Sequence, residues 1–173
     1  VDSKTIEFDL RKGVKFHNGE KFDADDVVFT INYLADPANG AKPARNVNWW
    51  KNAEKLGEYK VQLNLKKEFP AALEFLSGPI VMYPNDYYSE AGPEGMALKP
   101  VGTGPYQVTS VEPGKRYKFK KYDGYHASSP KGSASIGNIV IRTIAESNTQ
   151  LAELFSGGID WIWKVKPDQA KRI

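Results

Sequence analysis

Polar and apolar residues alternate over residues 5–11, which puts Ile6, Phe8 and Leu10 on one face of a predicted strand. Val14 and Phe16 resume the alternation after Gly13, and the two segments are expected to pair. Asn18-Gly19 can both adopt positive φ, as a tight hairpin turn requires. Phe22 re-enters the apolar pattern. Asp23 then suits a helix N-cap, its carboxylate accepting from the first free backbone N–H groups, and Asp26 three residues on can reach back to complete a capping box. Val27, Ile31, Leu34 and Ala35 recur at helical spacing on one face, and Asp36-Pro37 ends the helix.

Residues 36–58 read as loop, with turn formers at Asp36-Pro37, Asn39-Gly40 and Pro43. Inside this stretch the pair Trp49-Trp50 admits two readings: packing over the helix, or a contact surface for another domain or partner. Residues 59–67 alternate as an amphipathic strand through Tyr59, Val61, Leu63 and Leu65. Phe69-Pro70 opens a short helix whose apolar side is Leu73, Phe75 and Leu76 and whose end is Gly78-Pro79. Residues 80–82 are predicted as a short buried strand. Asn85 caps one helical turn carrying Tyr87 and Tyr88, and residues 89–100, which lack periodicity, are read as a domain crossover.

Further on, Glu112-Pro113-Gly114-Lys115 has the Pro-Gly centre of a type II turn and joins two strands, one through Tyr106, Val108 and Val111, the other through Tyr117 and Phe119. Residues 123–135 are polar and rich in turn formers. The continuous apolar centre of residues 136–144 suggests a strand covered on both faces. Ser147 with Gln150 reads as a second capping box, Leu151, Leu154 and Phe155 as the buried face of the helix that follows, and Gly157-Gly158 as its end. Residues 159–163 form one more predicted strand, so a right-handed βαβ crossover is expected. Pro167 opens a last helix running toward Ile173.

A chain of 173 residues is one domain or parts of two, and it can hide roughly 70% of its unfolded surface. A net charge of +3, with no basic run longer than the pairs Lys66-Lys67, Lys120-Lys121 and Lys171-Arg172, does not argue for nucleic acid. The absence of cysteine excludes disulfides, thiol catalysis and cysteine metal sites. No apolar run approaches the roughly 18 residues of a membrane span, and no signal peptide is present. Val1 starts inside a strand pattern and Ile173 stops inside a helix pattern. Both ends read as cuts, and a fragment of a longer protein is expected.

Catalytic chemistry finds little support. His17 beside a turn and His126 in a loop are the only histidines, read as solvent-exposed, and no cluster has metal-ligand spacing. Asp23, Asp25 and Asp26 are explained by a helix start, where carboxylates suit the positive end of the helix dipole. The Gly102-Thr103-Gly104 turn leads through Pro105 into a strand rather than a helix, which removes the phosphate-loop reading. The aromatics carry more information. Trp161 and Trp163 share one face of the last predicted strand, where they either wall a ligand cleft or pack in the core.

Three stretches together resemble the large periplasmic solute-binding proteins of peptide- and nickel-type ABC importers. They are LR-x-GV-x-F-x-NG-x-x-F-x-A-x-DVV from Leu10, P-x-GTGPY from Pro100, and L-x-E-L-F-x-G-G-x-D from Leu151. The resemblance implies an α/β chain, part of a two-lobed periplasmic-binding-protein-like fold of the class II, peptide-binding type, with mixed sheets and flanking helices. Residues 1–98 would supply part of the smaller accessory lobe and residues 99–173 part of the main lobe. It implies that a peptide or other small solute and a membrane permease are the partners, with no cofactor, metal, nucleic acid or catalytic residue. It also implies export to the periplasm, or to the cell surface as a lipoprotein. By the same resemblance Trp163, three positions after Asp160, faces the ligand, and Phe29 is a second aromatic contact, with Trp161 beside the first. The alternative is a ligand-sensing domain of a transcription regulator with the same type of fold.

Overall fold

The computed structural model describes residues 3–78, 80–130 and 132–171. The expected helix stop at Pro79, the strand start at Val1 and the continuation through Arg172 to Ile173 lie outside them. Strand β1 (Thr5–Asp9), strand β2 (Trp50–Gly57) and strand β3 (Lys60–Leu65) form an antiparallel sheet in the order β1-β3-β2. Helix α1 (Ala24–Ala35) packs across this sheet, and Ala24, Val27 and Ile31 meet Val61, Leu63 and Ala53 in the core. Trp49 and Trp50 are both buried there, which settles their role as packing: Trp49 lies against Phe69 at 4.7 Å between centroids.

The capping of α1 follows the sequence. Asp23 accepts from the Asp25 N–H, and Asp26 accepts from the Asp23 N–H at 2.9 Å. Four other expectations in the first half of the chain need correction. First, residues 14–22 do not pair with β1. They close a hairpin on themselves, Phe22 N–H donating to Val14 C=O and Phe16 N–H to Glu20 C=O, and β1 pairs with β3 instead. Second, residues 50–57 are a strand rather than loop. Its polar composition hides it, but β3 supplies a ladder, and the Asn32 amide on α1 both donates to Ala53 C=O and accepts its N–H.

Third, residues 80–82 are not a buried strand: Val81 is exposed. Side chains of α1 take the backbone donors just beyond, Thr30 Oγ1 accepting from Tyr83 N–H and Asp26 from Asn85 N–H. Fourth, residues 85–98 form helix α3 (Asn85–Leu98) rather than one turn followed by an aperiodic stretch, with Pro84 rather than Asn85 at the N-cap. A kink at Gly92, with φ +66°, before Pro93 divides it into two short pieces, so no single period runs through it. Between α1 and α3 lies helix α2 (Ala72–Ser77), starting after Pro70, with Leu73 turned outward.

The second half carries strand β4 (Tyr106–Glu112), strand β5 (Arg116–Lys121) and strand β6 (Asn138–Arg142), antiparallel in that order. Gly114 takes φ +72° in the β4–β5 turn, as the Pro-Gly pair requires. Helix α4 (Ser147–Phe155) and helix α5 (Pro167–Ala170) follow. Glu146, not Ser147, is the N-cap of α4, and Gln150 donates instead to Ile144 C=O at 2.6 Å. Leu151 is buried but Phe155 is exposed. Gly157, φ +75°, terminates α4. Among the described residues β6 pairs only with β5, and Val140 and Ile141 are about half exposed rather than covered. Residues 159–163 are not a strand and pair with none of the strands among the described residues, so the expected βαβ unit does not close.

Candidate functional site

The two halves meet along a cleft of about 630 Å³ lined by Arg11, His17, Met82, Tyr83, Tyr106 and His126. The two histidines expected in solvent are both partly buried on it. His17 sits under the Gly102–Gly104 turn, 2.9 Å from the Gly104 carbonyl. The His126 ring lies tilted against Tyr125, 4.6 Å between centroids, and burial, with the Arg11 guanidinium adding to it, moves its imidazole below the usual histidine range. Arg11 reaches across the junction and donates to the Ser128 carbonyl and hydroxyl at 2.6 and 2.7 Å.

Phe29 lies in a different place. Its ring is half-buried among tyrosines of α1 and α3, with centroids 5.8 Å from Tyr33 and 5.6 Å from Tyr88. Tyr83 stacks on Tyr88 at 4.7 Å, and a smaller cleft of about 210 Å³ opens beside Tyr33, Tyr83 and Tyr88. Burial raises the phenol of Tyr88 above the ordinary tyrosine range, with the hydrogen bond to Tyr33 acting in the same direction. The Tyr88 phenol therefore stays a neutral hydrogen-bonding group at physiological pH. Tyr33 is legible from sequence as the i+4 neighbour of Phe29. Tyr88 joins them only through the packing of α3 on α1.

Trp161 and Trp163 are brought together, 5.1 Å between centroids in an edge-to-face pair, and each is about two-thirds exposed. They line neither cleft and make no ring contact with Phe29. Their segment is anchored by Arg142 on β6. Its guanidinium grips Glu153 of α4 in a two-pronged pair at 2.8 and 3.1 Å and donates to the Gly158 carbonyl at 3.4 Å. The hydrogen bond from Arg142, with its charge, holds Glu153 below the usual glutamate range. A depressed carboxylate contributes stability above its unfolded pKa and loses it as pH falls through the folded value. Acidification is therefore expected to release the end of α4. Amide exchange at Gly158 and Ile159, corrected for intrinsic rates, should rise below the glutamate range in the parent protein and show no such added step in Arg142→Gln.

Among the described residues, no group of three or more histidines and acidic residues could hold a metal ion, and no helix is long and apolar enough to cross a membrane. A family model for bacterial extracellular solute-binding proteins, family 5 middle, matches residues 1–173. The glutathione-binding protein GsiB of Escherichia coli O1:K1 is 30% identical over 172 residues, covering 98% of this chain and 32% of that protein. NikZ from Campylobacter jejuni, solved in complex with Ni(L-His), matches with a TM-score of 0.80 at 29% identity, over 91% of this chain and 31% of that one. NikA from Brucella suis, in complex with Fe(III)-EDTA, gives 0.78 at 31% identity, over 99% and 35%. The chain thus spans about a third of the length of these relatives. Matched over its whole length, it belongs to the family 5 bacterial extracellular solute-binding proteins.

Proposed function

We propose that the chain is the middle part of a solute-binding receptor that delivers a peptide to the permease of an ABC importer. Residues 1–98 then belong to the smaller accessory lobe and residues 99–173 to the main lobe. The receptor works outside the cytoplasmic membrane, in the periplasm or as a lipoprotein at the cell surface. The observation that carries this reading is the whole-length family match, joined to a pair of tryptophans that stand exposed at the end of α4. Two large apolar rings in water are costly unless something covers them. A solute closed between two lobes would do so.

In this reading Trp163 and Trp161 wall the ligand cleft, and closure of the lobes removes both rings and the solute from water together. Flat, rigid side chains suit varied ligands, because they bury much surface with little loss of rotamer freedom. Phe29 offers a second apolar surface without a hydroxyl, supported from behind by Tyr33 and Tyr88. Peptide is the favoured class because the relative GsiB binds glutathione, itself a peptide. In the complete receptor, Trp163→Ala is expected to weaken peptide affinity by at least about 1 kcal/mol, roughly fivefold in Kd. Titration calorimetry reads this directly, and unchanged curves would remove Trp163 from the site.

A further inference from the structure

His17 bridges the two halves of the chain through both ring nitrogens. Its backbone N–H donates to Gly102 C=O at 2.9 Å, the Gly102 N–H donates back to Nδ1 at 3.3 Å, and Nε2 lies 2.9 Å from Gly104 C=O. One protonation state satisfies all three. Nδ1 must keep its lone pair to accept from an N–H, and Nε2 must carry the proton to donate to a carbonyl. Tyr122, next after β5, closes the other side: its ring meets the imidazole edge-to-face at 4.9 Å and its hydroxyl donates to Phe16 C=O at 3.3 Å. On the near side the imidazole is held rigidly, because Phe16 is fully buried and the hairpin of residues 16–20 bonds to itself.

We propose that His17 is a positioning residue that latches the unit of β1–α3 to the sheet β4-β5-β6, so that the two move as one rigid body. The bonds of Arg11 to Ser128, which also cross the junction, are exposed to water and contribute little constraint, whereas the Tyr122–Phe16 bond lies beside the imidazole and works with it. The latch is partly shielded and engages the turn through which the chain itself passes. The inference concerns the chain's own mechanics and stands whether or not the receptor reading does. If both hold, lobe closure happens elsewhere than at this junction.

The absence of cysteine makes the test clean. Lys51→Cys and Lys118→Cys, both at exposed positions, place one spin label on each sheet of the full chain. A single narrow distance is expected between them. His17→Ala should broaden that distribution while circular dichroism shows an intact fold, and should speed Gly102 amide exchange by about tenfold or more. His17→Gln, whose amide can both accept from Gly102 and donate to Gly104, should recover most of the narrow distance. A distribution in His17→Ala as narrow as in the parent would overturn the proposal. Should His17→Ala fail to fold, nitrogen-15 spectra of the parent imidazole decide: protonated Nε2 with bare Nδ1 supports the latch, and a proton on Nδ1 overturns it.

Discussion

Truncation of Trp50 to alanine is expected to cost about 3–5 kcal/mol of folding stability, the range for deleting a fully buried large aromatic. Its side chain has no solvent exposure and meets Trp49 edge-to-face at 4.9 Å in the core under α1. The indole Nε1 is buried with no hydrogen-bond partner, so it carries a desolvation penalty of about 1–3 kcal/mol that phenylalanine would not. Trp50→Phe should therefore cost less than half as much as Trp50→Ala, since the smaller cavity is offset by removal of the orphan donor. Urea midpoints at unchanged slope measure both. Equal losses would mean that the indole N–H is in fact satisfied.

Replacement of Asp26 by alanine should cost about 2–4 kcal/mol, because it strands two backbone donors at once. One carboxylate oxygen accepts from Asp23 N–H at the start of α1, and the other from Asn85 N–H at the start of α3, at 2.9 and 2.8 Å. A single side chain thus caps one helix and stitches a second to it. Burial raises its pKa above the ordinary aspartate value, against the lowering effect of those two bonds. A raised carboxylate favours folding below its unfolded pKa and loses that contribution as pH rises through the folded value. The penalty of Asp26→Ala should therefore be at least as large at pH 4 as at pH 7. A penalty that vanished on acidification would show that the charge, rather than the two accepted hydrogen bonds, is what matters.

The difference between what residues 10–37 show in sequence and what residues 50–57 conceal has a physical basis. Helix α1 is written in local terms: Asp23 and Asp26 sit three apart, the apolar residues follow one helical face, and Asp36-Pro37 ends it. The β4–β5 hairpin is equally local, fixed by Pro113-Gly114. Strand β2 has no such signal. It exists because β3 offers a ladder on that side and because Asn32, 21 residues away, pairs with Ala53. The same holds for residues 80–85, whose backbone donors go to Thr30 and Asp26.

At the candidate site, the tryptophan pair was visible as spacing, although the strand expected to carry it did not form. The grouping of Phe29 with Tyr33, Tyr83 and Tyr88 depends on where α3 lands, which no local pattern states. His17 was least legible of all. A lone histidine beside an Asn-Gly turn reads as solvated, and its partner Gly104 lies 87 positions downstream.

The receptor proposed above closes around a small solute. Native mass spectrometry of the complete protein, purified without unfolding, tests it most directly. A bound species in the mass range of short peptides is expected, released on collisional activation, with less of it in Trp163→Ala. A complete protein that carries no solute, and gains none when incubated with a pool of short peptides, would contradict it.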